Sequence, residues 1–400
     1  MNVAKPRPQG ASGAAARKPK TRRTSPLRVG LRATLGDSKL HNRTLVLQTL
    51  FRTGPLSRAD IARSTGLTKV TISGLVAELI DAGLARELGQ QETQRPGKPA
   101  ILVDLAREAY AVVCLDLSDH RVFRGAVLRL DGEVLVRREA PLNEAVGDAA
   151  LELATTLARS LQGLSELPLL GIGIGTPGLV DDEGVVRVAP NLGWQNLPLG
   201  SIVEDLTGLP TSVGNDANIS ALAEYASGES SDDFILITIG HGVGSGLIIA
   251  GGLVAGHRFA AGEIGQVMVG TDLGIDATYS REQVLEHWLS APQLNAALAA
   301  ATAQAGPDAA EARDRVLREA GSRLGVALTP VVGVLNLAEI VLAGPPELVE
   351  GPLAEATLGI LGRRTMPDTH DDLVLRTSPY DSLVLRGALA IVLQEQLGVA

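Results

Sequence analysis

A chain of 400 residues, 45% apolar and 20% charged, has room for two or three folded domains, and its composition excludes a disordered or fibrous protein. Its one cysteine, Cys114, excludes a disulfide framework and a cysteine-caged zinc, and fits a reducing cytoplasm. The net charge of −9 hides a partition, because residues 1–103 sum to +12 and the remainder to −21, which predicts a basic nucleic-acid module ahead of an acidic body.

No apolar run approaches the 18 residues of a membrane span, and the N-terminus is too polar for a signal peptide, so the expectation is a cytoplasmic protein with no membrane partner. Residues 1–36 hold nine basic residues and no acidic one among many Pro, Gly, Ala, Ser and Thr. Such a segment buries too little surface to fold and reads as a disordered basic tail.

Order is expected from about residue 37. Leu45, Leu47, Leu50 and Phe51 give His41–Arg52 an apolar helical face, ended by Thr53-Gly54-Pro55. Ser57 reads as the N-cap of a short helix, Arg58–Ser64. Gly66 then makes the turn, and Thr68 caps a third helix running to about Ala82. Ile72, Leu75, Val76 and Leu79 in that helix share one face. Val70, Ser73, Gly74 and Ala77 point the other way, flanked by Lys69 and Thr71. An outward face of small residues with a cation near its N-terminus suits a major groove. Extended runs at Ala85–Leu88 and Ala100–Leu105 bracket Arg95-Pro96-Gly97-Lys98-Pro99 and read as a basic β-wing. Residues 37–105 are therefore expected to form a winged helix-turn-helix that contacts double-stranded operator DNA through Lys69, Val70, Thr71, Ser73, Arg95 and Lys98. A small helical interaction domain is the alternative, and it leaves the charge without a purpose.

The acidic body begins at Tyr110. Ala111–Leu117, Val122–Leu130 and Val134–Arg137 read as antiparallel strands, with Asp131-Gly132 as a hairpin turn. A helix is expected over about Gly147–Leu161 and a strand over Leu169–Gly175. Pro210–Gly214 reads as a strand ending in Asn215-Asp216-Ala217-Asn218, which opens a helix to about Ala226. Polar side chains at such a junction can hold a small polar ligand; the alternative is that Asp216 is only a helix cap. Phe234–Ile239 and Leu247–Ala250 read as two strands joined by a turn with glycines at 240, 242, 244 and 246. That spacing is neither a Walker loop nor GxGxxG, and a strand rather than a helix follows it.

GIGIGTPG (171–178), PNLGW (190–194), GNDANISALAE (214–224), ITIGHGVGSGLII (237–249), AGEIGQ (261–266), NLAEIVLAG (336–344) and RGALA (386–390), in this order, resemble the ROK family (repressor, open reading frame, kinase) in its regulator form. The resemblance spans roughly residues 40–395. It implies an α/β fold in which the winged helix precedes a two-lobed, actin-like (sugar kinase, ribonuclease H-like) ROK domain over 106–400. The first lobe is then about 106–230 plus a returning helix at 379–397, and the second about 231–378.

Three departures from the family pattern bear on function. The kinases' Asp-x-Gly-Gly-Thr-Lys phosphate loop is replaced by Asp116-Leu117-Ser118-Asp119-His120-Arg121, without either glycine and with a carboxylate that opposes polyphosphate. The second loop's Gly-Thr-Gly is Gly240-His241-Gly242. Gln266 stands where a zinc-binding histidine is usual, and residues 267–285 contain no cysteine, so no metal or other cofactor is expected. The resemblance assigns Asn191, Asn215, Asp216, Glu263, Gln266 and Glu286 to a sugar-binding cleft, with Asp216 in the place of the kinases' base. The expectation is thus a homodimeric, sugar-responsive repressor without catalytic activity. An ATP-dependent sugar kinase fused to a DNA-binding module, and a regulator whose body serves only dimerisation, are the alternatives.

Overall fold

The computed structural model describes residues 35–90, 100–270 and 276–399. Arg95, Lys98 and residues 1–34 of the basic tail lie outside them. Leu35-Gly36, expected in the tail, instead begin helix α1 (Leu35–Thr53). It is followed by β1 (Leu56–Ser57), α2 (Arg58–Thr65), α3 (Lys69–Asp81), β2 (Ala85–Gln90) and β3 (Ile101–Leu105). Both helix starts follow from local chemistry. The Ser57 hydroxyl accepts the Asp60 N–H at 3.2 Å, and the Thr68 hydroxyl accepts that of Thr71 at 3.1 Å. Ile72, Leu75, Val76 and Leu79 of α3 are buried against Val46, Leu47, Leu50 and Ile61. The strands pair antiparallel in the order β1-β3-β2, and the Arg58–Glu87 ion pair (2.9 Å) ties α2 to β2.

The chain continues through β4 (Ala111–Asp116), β5 (Val122–Arg129), β6 (Val134–Pro141), α4 (Asp148–Leu164), β7 (Leu169–Thr176), β8 (Leu179–Val180), β9 (Val186–Ala189) and β10 (Trp194–Leu197). Next come α5 (Leu199–Thr207), β11 (Thr211–Asn215) and α6 (Asp216–Ala226). A five-stranded sheet has the order β11-β7-β4-β5-β6, with β4, β7 and β11 parallel and β5 and β6 antiparallel. In β7 the alternation of GIGIG follows from the pleat. Ile172 and Ile174 face the core that holds α4, while the glycines face the last helix, α12 (Leu383–Leu397). A Cβ on Gly173 would lie 2.0 Å from the Ala388 carbonyl oxygen, so helix backbone rests directly on strand backbone.

A second sheet repeats the same strand directions. It uses β12 (Phe234–Ile239), β13 (Val243–Ile249), β14 (Gly252–Leu253), β15 (Glu339–Ala343) and β16 (Val374–Thr377), in the order β14-β13-β12-β15-β16. Between β14 and β15 lie α7 (Leu285–Leu289), α8 (Ala291–Ala305) and α9 (Ala309–Leu335); α10 (Pro346–Val349) and α11 (Pro352–Arg364) precede β16. Leu324, Leu328 and Val332 of α9 pack with Ile237 and Leu342 in this sheet's core. The expected second apolar run of the hairpin, Leu247–Ala250, is corrected here: β13 starts at Val243, and Gly244 and Gly246 are strand residues. They lack side chains because α6 presses on them; a Cβ on Gly246 would lie 2.6 Å from the Ala217 oxygen.

Helix α6 therefore lies against both sheets' elements, and a buried charge cluster fixes its far end. Glu224 of α6 accepts from Arg376 (2.7 Å) and from the Ser378 hydroxyl (2.7 Å), and Arg376 also bonds Glu339 of β15. Among the described residues no helix is long and apolar enough to cross a membrane.

Candidate functional site

Asp116, Thr176 and Asn215 end the three neighbouring parallel strands β4, β7 and β11; Asp116 pairs with Gly175, and Asn215 with Thr176. Ligands of open α/β sheets bind beyond such carboxyl ends. Asn215 is the true cap of α6: its Oδ1 accepts the Asn218 N–H at 3.0 Å. Its Nδ2 donates to the Gly178 carbonyl (2.9 Å) and to Asp216 Oδ1 (3.0 Å). Asp216, in the helix's first turn, also accepts its neighbour Ala217's N–H, at 2.9 Å. The cap role weighed for Asp216 thus belongs to Asn215. The nearby Asn218 Oδ1 is buried with no hydrogen-bond partner among the described residues; the sequence places Asn218 in this junction but not among the site residues.

The carboxylates oppose one another. Burial, with help from the charges of Asp116 and Glu263, pushes the Asp216 carboxyl up to about 7 against the pull of the Ala217 N–H. Burial likewise raises Asp116, whose Oδ1 accepts both the N–H (3.0 Å) and the hydroxyl (2.6 Å) of Ser118. Glu263, more open to solvent, is raised by desolvation and then by Glu286. Glu286 Oε2 accepts the Val243 N–H at 3.0 Å, which anchors it to the hairpin, and its Oε1 lies 3.5 Å from Gln266 Nε2. Gln266 in turn accepts the Tyr279 hydroxyl at 2.7 Å. Asn215, Asp216, Glu263, Gln266 and Glu286 therefore line one region, an acceptor-rich set suited to a neutral ligand bearing several hydroxyls. Asn191 sits exposed on the short turn Pro190–Leu192, whose neighbour Trp194 is buried and donates to the Gly147 carbonyl at 2.9 Å. No hydrogen bond joins Asn191 to the carboxylates.

The loop 116–121 and the turn 240–242 meet face to face. The rings of His120 and His241 stack with centroids 3.6 Å apart and planes 20° from parallel. Desolvation and the neighbouring His120 hold His241 below its ordinary value, while Asp119 and Glu286 pull it upward and Arg121 downward. Asp119, expected to repel a polyphosphate, is instead engaged by Arg124 at 2.9 Å and by the Arg121 N–H at 2.8 Å. Despite partial burial, those two partners keep it below the usual carboxylate range. What fills this place is therefore the pair of rings rather than a free negative charge.

The segment that carries zinc ligands in the resemblance is held here from α9. Arg323, 6% exposed, donates to the Val269 carbonyl at 3.0 Å, pairs with Glu319 at 2.8 Å and lies 3.6 Å over the Trp288 ring.

A second surface lies on α3. Lys69, Val70, Ser73, Gly74 and Ala77 are exposed, with Val70 at 83%. Thr71 is half-buried and its hydroxyl lies 2.9 Å from that of Thr68, so it serves the cap. The helices and strands that carry this surface dock on the body through α12 and β4–β5. Gln48 donates to the Gly398 carbonyl at 2.8 Å, and Arg107 reaches the carbonyls of Leu50 (3.3 Å) and Phe51 (3.1 Å). Leu47, Phe51, Leu84 and Leu105 face Leu130, Leu393 and Leu397.

The chain is 26% identical over 390 residues to the xylose repressor of Caldicellulosiruptor bescii, covering 89% of this chain and 96% of that protein. It is 37% identical over 173 residues to a glucokinase of Halalkalibacterium halodurans, covering 42% of this chain and 52% of that one. A ROK family transcriptional regulator, a homologue of the E. coli MLC protein, superposes with a TM-score of 0.77 at 25% identity, over 90% of this chain and 97% of its own. Residues 112–395 match the ROK family as a whole, and the chain belongs to that family.

Proposed function

We propose that this protein is a transcriptional repressor. Residues 37–105 form a winged helix-turn-helix that binds operator DNA through α3 and the basic segment around Arg95 and Lys98. The ROK body, residues 106–400, binds a sugar or sugar derivative in the cleft at Asn215, Asp216 and Glu263, with Gln266 and Glu286 at its margin. One observation carries the reading: α12 is shared. Near its start it packs on α6, which holds Asp216. Beyond its end the Gly398 carbonyl takes the bond from Gln48 in α1. A ligand that shifts α6 thus has a rigid element leading to the DNA-binding fold. For a response, it must bind the DNA-competent and incompetent arrangements with different affinity. The repressor named above, and the MLC-like regulator, support the same assignment.

We read the body as not catalytic. The stacked His120 and His241 occupy the approach between the two former phosphate loops, and phosphoryl transfer depends on positioning and neutralising phosphate there. The kinase reading has one observation in its favour, an Asp216 poised near neutrality as a base would be. The test is a titration of monosaccharides and their phosphates into the full-length protein on an operator selected from random duplexes, with ATP turnover followed in parallel. Release of DNA by a sugar without turnover is expected. Phosphorylated sugar as product overturns the assignment in favour of the kinase, and DNA binding unmoved by any sugar favours a body that serves only dimerisation.

A further inference from the structure

Resting on that DNA-binding reading, we propose that Val70 reads the C5-methyl group of thymine in the major groove, and that this contact sets the base preference of each half-site. Val70 is the most exposed large apolar side chain among the described residues. It gives nothing to the core, and a β-branched residue there slightly weakens the helix. Its position is the first turn of α3, the part of a recognition helix that reaches base edges.

The neighbours decide what such a face can read. Guanine, adenine and cytosine are distinguished by side chains that form paired or charged hydrogen bonds, chiefly Arg or Lys to guanine, Asn or Gln to adenine and Asp or Glu to cytosine. The exposed residues from 69 to 77 are Lys69, Val70, Ser73, Gly74 and Ala77, of which Lys69 alone is of those types; the exposed Glu78 and Asp81 lie in the last turn of α3, away from the end that reaches base edges. The Thr71 hydroxyl is taken by the cap, at 2.9 Å from Thr68. Lys69 supplies one flexible cation, suited to phosphate or a single guanine acceptor, and Ser73 a hydroxyl that adapts to any base. Gly74 leaves open space, with nothing within 4 Å of where a Cβ would stand, so the helix can seat closely. On this face of α3 the remaining discriminating contact is apolar, and the thymine methyl is the apolar group on the major-groove edge.

The experiment starts from duplexes that the full-length protein enriches from a random library. Each thymine in the enriched site is replaced singly by uracil, which lacks only the methyl. One thymine per half-site is expected to show a loss of about fourfold, the worth of one buried methyl-sized group. Val70→Ala should bind the parent duplex about fourfold more weakly, ignore that replacement, and melt at or slightly above the parent temperature, because the side chain is exposed and Ala favours the helix. Equal affinity for thymine and uracil at every position overturns the inference and leaves DNA binding standing. Uracil sensitivity that persists in Val70→Ala removes the assignment from Val70. Failure of the full-length protein to enrich any sequence overturns the DNA-binding reading itself.

Discussion

Replacing Asp216 with Asn should make the ligand-free protein more stable, and the gain should depend on pH. The amide keeps the shape and the acceptor for the Ala217 N–H while removing a charge that Asp116 and Glu263 oppose. The carboxyl titrates near 7 in the folded protein and near 3.8 in the unfolded chain. Below about pH 4 both states hold the proton and the group is neutral in its effect. Between about 4 and 7 the folded state holds a proton that the unfolded state has lost, so stability falls as pH rises. Above 7 that loss is complete. At about 1.4 kcal/mol per pH unit, its ceiling is about 4 kcal/mol, and a residue partly open to a cleft should show about half. The advantage of Asp216→Asn over the parent should therefore grow by about 1–3 kcal/mol between pH 5 and pH 8, measured by urea denaturation at both. A mutant no more stable at pH 8, or one whose advantage is the same at both pH values, refutes the picture of a strained carboxylate. The same ionisation makes the cleft a better acceptor, so sugar affinity of the parent should rise from pH 6 to pH 8. In the mutant it should be weak and flat, with the operator still bound when sugar is added.

Arg376→Met should cost about 3–5 kcal/mol, because it leaves the wholly buried Glu224 with only the Ser378 hydroxyl. Adding Glu224→Leu to that mutant should recover part of the loss, the rest falling on the buried Glu339, which also loses Arg376, and a single mutant within about 1 kcal/mol of the parent would show that water reaches Glu224. Gly74→Ala should stabilise α3 by about 0.5–1 kcal/mol, since the added methyl meets no neighbour. It should nonetheless weaken operator binding in a gel shift; unchanged binding would mean that this face stands off from the groove.

How much of this was legible in the sequence depended on the range of the interaction. Ser57, Thr68 and the 72-75-76-79 stripe encode α2 and α3 within a dozen residues, and all fall where expected. The junction Asn215-Asp216 was also placed correctly, because a strand end and a helix start are local events; which of the two residues caps the helix needed the hydrogen bonds. The glycines misled. Gly244 and Gly246 read as turn residues, yet their cause is α6 packing on β13, a contact between segments that sequence spacing cannot show. Residues 291–335 gave no secondary-structure reading: α8 and α9 are rich in alanine and lack strong caps, so their borders carry little local signal. The motif comparison located the loops 116–121 and 240–242, but a stack between rings 121 residues apart in sequence was beyond it.

The shared helix α12 also orders the assembly of the molecule in time. The elements from β12 to β16 form one contiguous stretch, so the second sheet and its helices can close as soon as residue 377 has been made. The first sheet cannot. Its glycine-lined face over β7 stays open until residues 383–397 arrive, more than 200 residues after β7 itself. Pairings so distant in sequence form slowly, and an exposed apolar sheet face is a hazard while it waits. The protein is thus expected to pass through a state with the second sheet folded and the first uncovered. Pulse-labelled hydrogen exchange during refolding would find amides of β12 and β15 protected before those of β4 and β7.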